Sequence, residues 1–549
     1  MQKTSREIAG LPIQQAVRYL LGISVVGLSF FISFLYLSRD IFFDDAFMFI
    51  RYAYNLAEHG VFGWNADEAA YGCTSTGYVF SNYLFIKTGI ASLIDQDKLL
   101  VLQSVIYFLL ALLIMHNSNL LILGKEHAYR WEISLGVLLL LLFNPLMRRN
   151  LTGMDTMMSL MSNALLIFAA YNYERKKEIK NILLLAFSAY FSFFVRPDNG
   201  IYAALFPVLF IFLNGKNWKD VFAFSGLFSL MMLGDTLIKY FYFGAVLPIP
   251  FYVKKGAFYE AYLGIDLWNT WQYLADFILY GLPFFLVGML FFRGKAFSKA
   301  WAFLLPFILT QLYFLRTVPV MGFESRLLLP SLPFVLAFAL LGINEWIKEN
   351  YRWRKKDAIW ALGISMGLLL GIFLLSWGGK AYFQQKKAIA QEKAKDFDLQ
   401  LPPRLDNDSL AWYAVELMNE LVEEAGDEHF VFAASEHGFL SSQHADKRIL
   451  CLVGLHNTSS LSGKALNAEQ MQSSLQDYKP DLIWMPHYDY PALNYYLAKA
   501  PFFEQNYDWY PELLDFGIAV KRDSPYREKL MMKLREFYPE YGFELQVSH

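Results

Sequence analysis

Long apolar runs separated by short polar loops set the pattern of the first two thirds of this chain. Runs that reach or approach bilayer length fall at about 17–37, 99–123, 132–144, 156–171, 181–195, 200–213, 221–241, 271–292, 300–315, 327–344 and 358–377. At a rise of 1.5 Å per residue, about 20 residues cover the hydrocarbon core, so the pattern predicts about eleven or more crossings, with 132–144 and 200–213 short. Gly77 to Ile94 is also apolar and is expected as an interfacial or re-entrant helix. After Gly379 the pattern changes. A basic, helix-prone connector, Lys380 to Lys395, leads into a stretch where short buried strands (429–434, 448–453, 481–485) alternate with helix-like segments (409–425, 467–478). That alternation predicts a small α/β domain. The expected organisation is a membrane domain over 1–379, a connector over 380–398 and a soluble domain over 399–549.

Charge placement gives the expected orientation. Lys3, Arg6 and Arg18 precede the first run, and every second loop after it is basic: Lys125 and Arg130; Arg175 to Lys180; Lys216 and Lys219; Arg293 to Lys299; Lys348 to Lys356. The positive-inside rule puts these loops and the amino terminus in the cytoplasm, and the other loops and the tail outside. The first run is too long for a signal peptide, no small-residue cleavage site follows it, and it is expected to stay in the membrane. Composition agrees: 56% of residues are hydrophobic and 18% charged, against about 25% charged in soluble domains. A formal net charge of −2 gives no sign of a nucleic-acid partner. Two cysteines, Cys73 and Cys451, exclude a disulfide scaffold, leave one bridge conceivable, and form no metal-type spacing with histidine.

The unusual chemistry gathers in the outward loops. The first, 39–76, begins with Asp44-Asp45, just past the first apolar run. Adjacent carboxylates raise each other's proton affinity, which suits proton uptake, although either also suits the start of a helix over Ala46 to Glu58. Arg148, Arg149, Arg196, Lys254, Lys255, Arg316 and Arg326 lie outside, against the charge bias. An anionic phosphate ligand would account for them, and so would ion pairs with Asp155, Asp198 and Glu324. In the tail, Ser435-Glu436-His437-Gly438 and His487 to Tyr490 follow strand ends, where open α/β sheets bind ligands. No glycine-rich phosphate loop is present. Adjacent carboxylates offer a divalent cation part of a site, without a complete ligand set.

Several short motifs in order carry a resemblance. They are Asp44-Asp45-Ala46-Phe47 with Arg51 to Gly60, Thr152-Gly153-Met154-Asp155-Thr156, Arg196-Pro197-Asp198-Asn199-Gly200, Pro250 to Gly256 and Ser325-Arg326-Leu327-Leu328-Leu329-Pro330. Through them the membrane half resembles the polytopic glycosyltransferases of the C-type fold, nearest the bacterial terminal arabinofuranosyltransferase group. Ser435 to Gly438 and Leu452-Val453-Gly454-Leu455 look more loosely like that family's soluble domain. The chain departs from the pattern at Asp155, where relatives often have Glu, and at Asn199, an insertion before Gly200.

The resemblance implies a multi-pass protein of the bacterial cell membrane, with its site and tail outside. It implies transfer of a sugar (arabinofuranose, another pentose or a hexose) from a polyprenyl-phosphate donor to an envelope glycan or glycolipid. Asp44 or Asp45 would be the base or orienting carboxylate. Arg196, Lys254, Lys255 and Arg326 would hold the donor phosphate. Arg51, Tyr52, Asp155, Asp198, Tyr252 and Glu324 would bind substrate, and Glu436 and His437 the acceptor. A lipid-linked-sugar transporter or flippase, and a scaffold for wall assembly, are the readings from other classes.

Overall fold

The computed structural model describes residues 44–125, 129–253, 296–316, 325–348, 412–458 without 428 and 436, and 468–539 without 487–489 and 515, with scattered residues elsewhere. The chain is mostly helical, with one small sheet near its carboxyl end. The helices of the first part are α1 (Asp44–Glu58), α2 (Thr76–Lys87), α3 (Gln96–Leu123), α4 (Arg130–Phe143), α5 (Pro145–Arg149), α6 (Thr156–Arg175), α7 (Ile179–Val195), α8 (Gly200–Gly215), α9 (Trp218–Phe243), α10 (Ile249–Val253), α11 (Ala296–Arg316) and α12 (Leu332–Lys348).

Among the described residues, three helices are long and apolar enough to cross a membrane: Gln96–Leu123, Pro197–Gly215 and Trp218–Phe243. The chain is membrane-associated on that ground. Most of the other apolar runs also form helices, but α4, α7 and α12 are only 14, 17 and 17 residues long. The runs at 17–37 and 358–377 lie outside the described residues or nearly so, as does most of 271–292. The stretch expected to lie along the surface contains α2, a helix of 12 residues that stops at Gly89 in the left-handed region, far short of a crossing. On α9, Phe222, Leu230, Ile238 and Phe241 point outward, as a lipid-facing helix requires.

Polar side chains are buried where helices meet. The central helix α6 is almost wholly buried and carries Ser159, Ser162 and Asn163 inward. Asn163 donates to the Asn199 side chain (3.1 Å) and to the Pro330 carbonyl (2.8 Å), and accepts from Ser192 (2.6 Å). Asn199 donates to Ser159 (2.8 Å) and to the Ser192 carbonyl (3.1 Å). This ladder locks α6, α7, the Pro197–Asn199 turn and the Leu329–Ser331 turn together, so Asn199 is a structural tie.

The tail contains α13 (Trp412–Ala425), β1 (Val431–Ala434), α14 (Gly438–Gln443), β2 (Arg448–Cys451), α15 (Ala468–Tyr478), β3 (Leu482–Trp484), α16 (Pro491–Ala498), α17 (Pro501–Asn506), β4 (Tyr507–Tyr510), β5 (Ile518–Lys521) and α18 (Arg527–Phe537). The sheet runs β2-β1-β3-β5-β4, parallel through the first three strands and antiparallel at β5 and β4. One face (Phe432, Ala434, Ile449, Leu482, Trp484, Val520) joins the apolar cluster of α13, α18 and α1. The other (Ala433, Leu450, Ile483, Ala519) packs on α15, α16 and α17. The β4–β5 pair adds two strands to the three read from sequence.

Candidate functional site

The site forms where α1 and the loop after it meet the tail. Asp44 and Asp45 open α1, and successive residues on a helix point about 100° apart, so the two carboxylates face different partners. Asp44 accepts the backbone N–H groups of Gly438 (2.8 Å) and Phe439 (2.9 Å) and so caps α14 from another element. Only glycine fits at 438, because a Cβ would overlap the Asp44 carbonyl. Loss of solvent raises the Asp44 pKa to about 6, against the pull of the Phe439 N–H; Asp45 adds to the rise.

Arg51 is the second tie, fully buried about two turns on. It donates to the carbonyls of Trp64 (2.5 Å), Ser441 (2.9 Å), His444 (3.1 Å) and Lys447 (2.7 Å) and to the Asn65 side chain (3.1 Å). Burial holds its pKa down at about 9. Asn65 exchanges hydrogen bonds with the backbone of Ile449 (2.9 and 3.1 Å), so a side chain pairs with β2 at the open edge of the sheet.

Between these ties and the helix bundle lies a cavity of about 130 Å³. Its wall takes Asp45, Met48 and Phe49 from α1, Asp155 from the start of α6, and Arg196 and Arg326 from two turns. Ser435, His437, His456 and Tyr490 come from the tail. Arg196 lies 3.4 Å from Asp155 and 2.6 Å from Asp198. Burial works against its charge, but Asp155 and Asp198 outweigh burial and lift its pKa above the ordinary value. Arg326 lies 3.4 Å from Asp45. Burial lowers its pKa, opposed by Asp45 and Asp155. Ser325, just before it, sits at φ 58°, a strained conformation for a residue with a side chain, held by the turn that Asn163 anchors. Two buried guanidiniums and two carboxylates thus face one space, an arrangement able to hold a phosphate and accept a proton.

On the tail side, His437, Cys451 and His456 are buried together. The His437 Nε2 is 3.0 Å from the Cys451 sulfur, and the Tyr52 hydroxyl is 3.0 Å from the His456 Nδ1. Trp64 stacks on His456 at 4.0 Å. Burial lowers the His437 pKa to about 3 and holds that of His456 well below its ordinary value, and raises that of Cys451 to about 11.

Asp45, Asp155, Arg196, Arg326 and His437 therefore converge on the cavity. Asp198 backs Arg196 from behind. Tyr252 lies on α10 and does not line the cavity, although Pro250 of the same helix does. Arg51 and Tyr52 bind the tail, with Arg51 saturated by neutral acceptors and Tyr52 wholly buried against His456. Cys73 and Cys451 are both free thiols. Lys254, Lys255, Glu324 and Glu436 lie outside the described residues. The His437–Cys451–His456 group escaped sequence reading because its spacing matches no motif; it is made by the pairing of Ala434 with Cys451 across two parallel strands. No protein-family model and no curated protein matches the chain.

Proposed function

We propose that the chain is an integral-membrane glycosyltransferase that moves a sugar from a polyprenyl-phosphate donor to an envelope glycan on the outer face. The observation that carries this reading is the cavity that joins Asp45 and Asp155 to Arg196 and Arg326 beside apolar helices. In the reaction, an acceptor hydroxyl attacks the anomeric carbon, the bond from that carbon to the phosphate oxygen breaks, and Asp45 takes the hydroxyl proton. The lipid phosphate leaves with a negative charge that Arg196 and Arg326 neutralise, already in place before the bond breaks. Donor binding gives Arg326 a phosphate in place of Asp45 and frees the carboxylate to act as base. Asp44 is the poorer base, because both of its oxygens are engaged by backbone N–H groups. The multi-pass topology with a cytoplasmic amino terminus belongs to this reading and rests on the alternation of basic loops.

The test incubates purified protein with radiolabelled polyprenyl-phosphate sugars and envelope acceptors. Transfer is expected, reduced roughly 10²–10⁴-fold by Asp45→Asn with donor binding retained. Lipid movement across a bilayer without acceptor and without transfer would make the protein a flippase. Full activity in the Asn variant would remove Asp45 from catalysis.

A further inference from the structure

His437, Cys451 and His456 come from three points on the carboxyl-end edge of the parallel strands: past β1, at the last residue of β2, and in the turn after it. One nitrogen of each imidazole and the thiol sulfur lie within 4.8 Å of one another. Tetrahedral zinc, with bonds of about 2.1 Å to nitrogen and 2.3 Å to sulfur, holds its ligands about 3.6 Å apart, so small side-chain rotations close the set.

Two further observations point to a ligand. The His456 Nε2 is buried and has no hydrogen-bond partner, a state that buried polar atoms seldom keep unless something binds there. The Tyr52 hydroxyl engages the His456 Nδ1 and so fixes that ring from outside the cluster, as a supporting partner does for a metal-bound histidine.

We propose that His437, Cys451 and His456 form a site for a borderline-soft divalent cation, zinc by preference, on the tail side of the cavity. Two nitrogens and one sulfur select zinc or cobalt over magnesium and calcium, which take oxygen. Imidazole binds metal in its neutral form and cysteine as the thiolate, so binding displaces the thiol proton. His437 and His456 line the cavity, so the open fourth position of a three-ligand site lies on that side. The site is independent of the transferase reading, because it is read by metal binding alone.

The test uses full-length protein in detergent, stripped with a chelator and titrated with cobalt(II). One equivalent is expected to give thiolate-to-cobalt charge-transfer absorption and the strong visible bands of a tetrahedral site, both lost on adding zinc. Cys451→Ser is expected to remove the charge-transfer band, and Cys73→Ser to keep it. Tyr52→Phe is expected to weaken cobalt affinity about 10-fold or more. If the wild-type chain gives no stoichiometric cobalt spectrum, the three residues are a buried polar cluster and the proposal fails. The proposal also fails if the band follows Cys73 instead of Cys451.

Discussion

Arg51 and Arg196 are both buried arginines, yet their surroundings differ in kind. Arg51 meets four backbone carbonyls and one amide oxygen, all neutral, and fills its space. Arg196 meets two carboxylates and borders a cavity that also holds Arg326 and Asp45. A guanidinium saturated by neutral acceptors has no capacity left for a ligand and ties elements together. One balanced by carboxylates at the edge of an open space can exchange an anionic partner for an incoming anion. In this chain, then, the partners of a buried charge separate support from chemistry better than burial does.

The comparison breaks most easily at Arg51. Arg51→Met is expected to cost about 3–5 kcal/mol, because it loosens the tail from α1 and leaves four buried carbonyls without their donor, at about 1–3 kcal/mol for each that stays unsatisfied. Limited proteolysis of the tail and the thermal unfolding midpoint measure this. The molecules that remain folded should bind donor lipid with normal affinity. If donor binding falls while the tail stays protected, Arg51 belongs to the site and the division is wrong.

A smaller effect, roughly 2–5 kcal/mol on donor binding, is expected for Arg326→Gln, because a desolvated phosphate would lose its counter-charge. Titration of a labelled polyprenyl phosphate, compared with protein yield, checks it. Equal losses of yield and binding would make Arg326 a structural tie like Arg51.

How much of this was legible beforehand follows the range of the signal. The apolar runs reported helices, and three tail segments reported strands, because hydrophobic periodicity is a local property. Asp45, Asp155, Arg196 and Arg326 were legible as charges in the loops between apolar runs. What they contact was not, since Asp45 and Arg326 are 281 positions apart. The contacts of Arg51 were not legible either, because its partners Ser441, His444 and Lys447 lie about 390 residues away and contribute carbonyls, which every residue has. The two antiparallel strands were missed for another reason: Tyr507–Tyr510 and Ile518–Lys521 are four residues each and are joined by an irregular loop.

Asp44 gives the last prediction and divides the adjacent carboxylates most finely. Its pKa is raised in the folded chain, mainly because desolvation penalises the charge more than the Phe439 and Gly438 N–H groups repay. A group raised in this way contributes stability that is complete below its ordinary value near 3.8 and is lost as the pH rises through about 6. A shift of that size corresponds to at most about 3 kcal/mol, at 1.36 kcal/mol per unit. Asn resembles the protonated acid, keeps one acceptor for α14 and never ionises. Asp44→Asn should therefore match the wild type near pH 4 and be the more stable protein near pH 7, by up to about 3 kcal/mol. Unfolding midpoints of both proteins across that interval, with hydrogen exchange at Gly438 and Phe439, read the difference. If the wild type is instead the more stable near neutrality, the two N–H donors outweigh desolvation. Asp44 would then be a charged cap that strengthens the junction as the pH rises, with the opposite slope.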